Sequence, residues 1–279
     1  NKADWSFKSM GYVFESSHTL DELFRDLPDE DPARFIAHLS TPNALPRHAA
    51  VTIDSSPFYL HKQKLGIGSS AAVTVALGKA LAALDGHEMG VEQLQQAHRT
   101  FQRGVGSGLD VAAAYRGGVI LYQNNQAETH GIDPNVHYGF VFAGESTQTP
   151  RMIARFNEWR GETTPASLAA LVSAANGVAE ASVKANAFMT CMKDYIRALV
   201  QLDRDAQIGI FGPGHEAAMG LAERHGVLYK PCGAGGGDMG VAFSTEDEAL
   251  ARFKRDVEEQ GLNVVRLEIA DDGVQVRAG

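Results

Sequence analysis

Apolar residues recur three and four apart over some stretches of this chain and alternate or run together over others, which divides it into short elements of both kinds in mixed order. Helical spacing is expected around Leu20 to Leu27, around Pro32 to Leu39, over 69–84, over 91–102, through most of 150–205, and from Glu246 to Gln260. Strand patterns fall at 51–59, Gly117 to Gln123, Tyr138 to Ala143, Val241 to Ser244 and Asn263 to Ala270. A polar stretch, Asn124 to Asn135, separates the first group of elements from the second, and no period repeats. Strands and helices interleaved in this way predict an α+β protein of two domains, 1–136 and 137–279.

Composition narrows the class. A chain of 279 residues with 44% hydrophobic content can bury a sizeable core. The net charge of −9 and the lack of any basic run longer than two residues argue against nucleic-acid binding, which needs clustered Lys and Arg to release counterions. An anionic ligand would therefore have to meet local positive potential. Cys191 and Cys232 sit in unrelated contexts without a CxxC pair, so both are expected to be reduced. The absence of a secretory signal and of an apolar run of about 18 residues predicts a cytoplasmic protein with no membrane partner.

Three glycine-rich segments change the picture from a fold class to a chemistry. Lys64-Leu65-Gly66-Ile67-Gly68-Ser69-Ser70-Ala71 runs straight into the apolar helical stretch that follows. Bare backbone at Gly66 and Gly68 with hydroxyls at Ser69 and Ser70, ahead of a helix N-terminus, is the arrangement that cradles a phosphate. A tight turn that binds nothing has the same composition. Gly104-Val105-Gly106-Ser107-Gly108-Leu109-Asp110 sets one acid after a glycine loop and before Val111-Ala112-Ala113-Ala114, as a general base or as a helix N-cap. Lys230-Pro231-Cys232-Gly233-Ala234-Gly235-Gly236-Gly237-Asp238-Met239-Gly240 carries five glycines in eight positions and leads into the strand-like Val241-Ala242-Phe243.

In this order the three segments resemble the GHMP kinase superfamily, whose signatures are an early Gly-Leu-Gly-Ser-Ser-Ala loop and a late Gly-Ala-Gly-Gly-Gly loop. Val51-Thr52-Ile53-Asp54-Ser55-Ser56, Phe58-Tyr59, Ala97-His98 and Gly106-Ser107-Gly108-Leu109-Asp110 resemble its phosphomevalonate kinase branch in particular. The resemblance covers roughly residues 50 to 265. It implies a two-domain GHMP kinase fold, an N-terminal mixed β/α domain followed by a ferredoxin-like α+β domain, with ATP and Mg2+ as cofactors and a phosphorylated or hydroxylated small acid as substrate. A second copy of the chain is the one macromolecular partner left open. Mevalonate and other GHMP kinases, diphosphomevalonate decarboxylase relatives, and a non-catalytic binding homologue are the alternatives.

The resemblance also implies roles. Gly66, Ile67, Gly68, Ser69, Ser70 and Ala71 would bind ATP, with the Ser69 and Ser70 hydroxyls reaching the metal. Asp110 matches the aspartate assigned as the catalytic base in mevalonate kinases, and Lys64, next to the first loop, would supply positive charge. Ser107, Gly108, Ser146, Thr147, Lys230, Gly233, Ala234, Gly235 and Gly236 would border the substrate, with Arg103 and Arg151 as further cations. Two departures stand out. The chain opens Asn1-Lys2-Ala3-Asp4-Trp5 without the family's Pro-Gly-Lys-like strand, so a first segment is expected to precede this sequence. Ala97-His98-Arg99-Thr100-Phe101-Gln102 has no acid where mevalonate kinases carry a glutamate metal ligand. On their own helices, His98 is expected to be a packed histidine and His215 to mark a helix start.

Overall fold

The computed structural model describes residues 5–10, 14–28, 31–102, 104, 106–144 and 149–277. The chain forms two compact units, one of residues 1–63, 67–130 and 269–279, the other of 64–66 and 131–268. The chain crosses from one unit to the other four times, at 63/64, 66/67, 130/131 and 268/269, where a two-block division at 136/137 has one crossing. The C-terminal tail returns to the first unit because Gly118 N–H donates to Ala270 O at 2.6 Å and Val274 N–H to Ala114 O at 3.1 Å.

In the first unit, strand Trp5–Met10 pairs antiparallel with Phe14–His18 and parallel with Ala49–Asp54. Its alternation puts Trp5 and Phe7 inside and Ser6 and Lys8 outside. These strands carry too few apolar residues to stand out in the sequence. Helices Ser69–Leu84, Val91–Phe101 and Leu109–Arg116 complete a core that joins Trp5, Phe7, Leu23, Ile36, Val75, Leu81, Leu94 and Val111. The helix expected at Leu20 to Leu27 reduces to one 3-10 turn, Glu22–Phe24, and that at Pro32 to Leu39 is 3-10 over Pro32–Phe35 before turning α over Ile36–Leu39. The strand expected at 51–59 stops at Asp54, whose carboxylate accepts both the Ser56 N–H at 3.0 Å and its hydroxyl at 2.6 Å and so turns the chain. The polar stretch contains a hairpin. Val119–Gln123 pairs with Gln126–His130 across Asn124 and Asn125, whose φ values of 53° and 60° suit a tight two-residue turn.

The second unit holds a four-stranded antiparallel sheet in the spatial order Asn263–Val265, His137–Phe142, Met239–Ser244, Leu228–Pro231. With helices in the first and last crossovers this is the split β-α-β arrangement of a ferredoxin-like sheet. Helices Thr149–Arg160, Ala166–Ala181, Ala185–Ala206 and Pro213–Arg224 all fall in the first crossover, and Asp247–Glu259 in the last. Pro213–Arg224 and Asp247–Glu259 bury Leu221, Leu250, Phe253 and Val257 against Val141 and Ala242. Phe188 and Met192 of Ala185–Ala206 cover Val241 and Phe243 on the other side. Met239–Ser244 is buried at every position, which explains an apolar run without alternation. Strand expectation over Asn263 to Ala270 shortens to Asn263–Val265. Among the described residues no helix is long and apolar enough to cross a membrane.

One carboxylate organises the route from the longest helix into the sheet. Asp203 accepts the N–H groups of Gly209, Ile210 and Phe211 at 2.8, 2.9 and 3.1 Å, pinning a loop whose Ile210 and Phe211 side chains are buried. Replacing Asp203→Ala strands donors in a partly buried loop and should cost about 1–3 kcal/mol of stability. In urea denaturation this appears as a lower midpoint at unchanged slope, and a midpoint equal to that of the parent protein would contradict the role.

Candidate active site

In the first unit two helices start side by side on left-handed glycines. Gly68 is the N-cap of Ser69–Leu84 at φ 81° and Gly108 that of Leu109–Arg116 at φ 80°, and neither helix start is capped by its N-cap side chain. A Cβ on Gly68 would lie 3.4 Å from the Asp110 Cβ, so the two N-termini are neighbours. Helix N-termini carry partial positive charge, which favours an anion nearby. Asp110 is not the N-cap. It sits in the first turn, where one carboxylate oxygen takes the following N–H of Val111 at 3.0 Å.

The polar residues of helix Val91–Phe101 hold both loops. Gln95 and His98 lie three apart, hence on one face, and both are buried, at 6% and 3% exposure. Gln95 Nε2 donates to Gly108 O and to the Tyr122 hydroxyl, each at 3.1 Å, and Tyr122 in turn donates to Ser107 O at 2.7 Å. The Ser107 hydroxyl accepts the Leu109 N–H at 3.2 Å. His98 Nε2 lies 3.1 Å from the Ser70 hydroxyl. Burial holds the His98 imidazole below its ordinary range, opposed by the attraction of the Asp110 carboxylate. Two polar residues buried three apart on an otherwise amphipathic helix were the available signal for this role. Ser69 is buried as the first helical residue, and Ser70 is half-buried.

In the second unit the late glycine loop is held from two sides. Gly236 N–H donates to Ile210 O at 2.7 Å, on the loop that Asp203 pins. His215, wholly buried at the start of Pro213–Arg224, places Nε2 against Gly237 O and Nδ1 2.8 Å from the Tyr229 hydroxyl. A carbonyl can only accept, so Nε2 carries the proton and Tyr229 donates to Nδ1. Burial pushes His215 down and Tyr229 up, in keeping with both being neutral. His215 is thus more than a helix start. Asp238, after this loop, lies against Gly66, where φ is 72° and a Cβ would fall 2.6 Å from the Asp238 Cγ, so that position excludes any larger residue. Neither Asp203 nor Tyr229 announced its part, because each acts through tertiary contacts across a turn of the chain, Asp203 on a loop six to eight residues on and Tyr229 on a histidine 14 residues back.

The cations divide. Lys64 is exposed in the short strand Gln63–Lys64, and Arg151 is exposed on Thr149–Arg160. Lys230 is half-buried, donates to Pro231 O at 2.7 Å and lies over the Tyr195 ring, with burial lowering its ammonium against the pull of the Cys232 thiol. Ser146, Thr147 and Arg103 lie outside the described residues.

Residues 32–118 match the family model for the GHMP kinases N terminal domain. The class of protein that the fold and the early loop resemble is therefore the GHMP kinase superfamily. Within it, the chain is 31% identical over 226 residues to a phosphomevalonate kinase of Streptomyces sp. (strain CL190), an overlap of 68% of this chain and 59% of that protein. This chain thus spans less than two thirds of that relative's length. A phosphomevalonate kinase of Saccharolobus solfataricus is 24% identical over 240 residues, 79% of this chain and 72% of its own. The fold matches that of Streptococcus pneumoniae phosphomevalonate kinase in complex with phosphomevalonate and AMPPNP at a TM-score of 0.76 and 17% identity, covering 96% of this chain and 88% of that one.

The two buried imidazoles give the protein an acid limit. Unfolded histidine binds a proton near pH 6.5, whereas His98 and His215 are depressed below that value in the folded state. As pH falls through 6.5 the unfolded chain therefore takes up protons that the folded chain refuses, and stability falls, at up to about 1.4 kcal/mol per pH unit for each group. Urea denaturation between pH 8 and 5.5 should show a plateau above about pH 7.5 and a decline below it. A level profile down to pH 5.5 would count against buried neutral imidazoles.

Proposed function

We propose that this chain acts in an ATP-dependent kinase that transfers the γ-phosphoryl group to a phosphate oxygen of phosphomevalonate, releasing ADP and forming diphosphomevalonate. The observation that carries the reading is the pair of adjoining helix N-termini that start on the glycines Gly68 and Gly108, with Asp110 in the first turn of the second. The named relatives supply the substrate.

Phosphoryl transfer asks a protein for positioning and for neutralisation of charge on the moving group. The backbone N–H groups from Gly66 to Ala71 hold the β- and γ-phosphates, and the Gly108 helix start adds its dipole. The sequence resemblance assigns Gly233, Ala234, Gly235, Gly236, Lys230, Ser107 and Gly108 to the acceptor and Lys64 to catalysis. Ser146 and Thr147 are assigned to the acceptor from the sequence resemblance.

A magnesium ion fits this donor set as a partner of the nucleotide, since Ser70 and Asp110 offer hard oxygens while no cluster of three His, Cys, Asp or Glu residues among those described could cage a metal alone. When bound, it neutralises phosphate charge as that charge shifts toward the leaving oxygen. An acceptor phosphate is already largely ionised near neutrality, with its second pKa at about 6. Asp110 then orients the acceptor more than it removes a proton.

ADP release with ATP and magnesium, compared across phosphomevalonate, mevalonate, diphosphomevalonate, homoserine and galactose, tests the reading, with phosphorus NMR of the product. Turnover confined to phosphomevalonate with a new diphosphate resonance is expected, and turnover on another acceptor alone would overturn the assignment. Asp110→Asn should lower kcat by about 10- to 100-fold, at the modest end of what general-base catalysis supplies. A loss beyond about 10,000-fold would point to a hydroxyl acceptor that needs a true base.

A further inference from the structure

The early loop has donors in abundance, because a helix that starts on a glycine leaves its first N–H groups free for phosphate oxygens. A cation carried by the nucleotide needs the opposite, an oxygen that shows lone pairs. Resting on the kinase reading above, we propose that His98 is a positioning residue that turns the Ser70 hydroxyl into that acceptor.

The Ser70 side chain meets the His98 Nε2 at 3.1 Å. A serine hydroxyl has one proton, and if it is given to the ring nitrogen the oxygen can present only lone pairs on its other side. The rest of Ser70 is fixed as well, because its carbonyl oxygen accepts the Thr74 hydroxyl at 2.8 Å. His98 has little freedom to turn away. It is 3% exposed, and its ring stacks on Phe101 with centroids 6.4 Å apart and planes 20-odd degrees from parallel, at 22°. Helix Val91–Phe101 thereby serves the metal without supplying a ligand. A group that orients a ligand in this way typically changes metal affinity by about 10- to 100-fold when it is removed.

The test is calorimetric binding of ADP to the full chain, with and without magnesium, so it does not depend on turnover. His98→Ala is expected to weaken magnesium–ADP binding by about 10-fold or more while changing metal-free ADP binding by less than about 2-fold. His98→Gln, whose amide reaches the position of Nε2, should restore most of the loss, and His98→Asn, whose amide sits at the position of Nδ1, should not. In the Ser70→Ala background His98→Ala should add nothing. Equal losses with and without magnesium, no loss, or effects that multiply in the double variant would each overturn the proposal. Should His98→Ala fail to fold, the comparison of Gln with Asn decides alone, and equal behaviour of the two overturns it. Wild-type protein that binds ADP in neither condition would fell the kinase reading itself, whereas wild-type binding with an unaffected His98→Ala would fell only this inference.

Discussion

The constraint on which this molecule turns is that a helix beginning on a left-handed glycine cannot cap itself. Gly68 and Gly108 each place the chain at a φ near 80°, where a side chain would be strained, and neither N-cap residue has one with which to accept an N–H group. Such starts are costly in a structure without a ligand, because orphan donors must make do with water. Two of them set side by side, with only an Asp110 Cβ distance between, concentrate that cost in one place. Two buried polar residues of the first unit, Gln95 and His98, hold those starts in place. Gln95, Tyr122 and Ser107 form a chain of hydrogen bonds around the second, and His98 braces the first through Ser70.

The second unit solves a related problem differently. A run of glycines has no side chains with which to fix itself, so its geometry has to be imposed by neighbours. Here the neighbours are a carboxylate and an imidazole. Asp203 gathers three N–H groups of the adjoining loop, and that loop gives Ile210 O to Gly236. His215 gives its Nε2 proton to Gly237 O and is itself held by Tyr229, a residue of the sheet. The Gly237 carbonyl can only accept, and burial disfavours the charged ring, so Nε2 carries the proton and the Tyr229 hydroxyl donates to Nδ1. Rigidity is transmitted from sheet to loop through one neutral ring.

The glycine motifs were legible in the sequence because they are local: bare backbone, hydroxyls and a helical run stand next to one another between Lys64 and Leu81. Helices Ser69–Leu84, Val91–Phe101 and Asp247–Glu259 were legible for the same reason, their periodicity extending over several turns. Strands Trp5–Met10 and Phe14–His18 were not, since Ser, Lys and Glu fill most of their outward positions and only Trp5, Phe7, Met10 and Phe14 remain as apolar markers. Their identity as strands comes from pairing, which no single segment records. The hairpin at Asn124 and Asn125 did carry a local signal, two adjacent asparagines that tolerate positive φ, but their polarity reads equally well as a plain loop. Candidate site residues within motifs were legible, whereas His98, His215, Tyr229 and Asp203 owe their roles to partners up to 28 positions away in the case of His98 and Ser70.

The net charge of −9 and the demands of a phosphate-rich site are reconciled by where the positive potential resides. A site built chiefly on lysines would need those side chains free and aimed inward, yet Lys64 is exposed and Lys230 already gives a proton to Pro231 O. At the Gly68 helix start the N-cap residue has no side chain to compete for the backbone N–H groups. They also cannot be neutralised by pH and lose no side-chain entropy on binding, so their field is present before a ligand arrives. A fixed field suits phosphoryl transfer, in which charge shifts among oxygens already in place and there is little for the protein to do but hold still. The acidic surface elsewhere then costs the site little, because exposed charges more than about 10 Å away are largely screened at physiological salt.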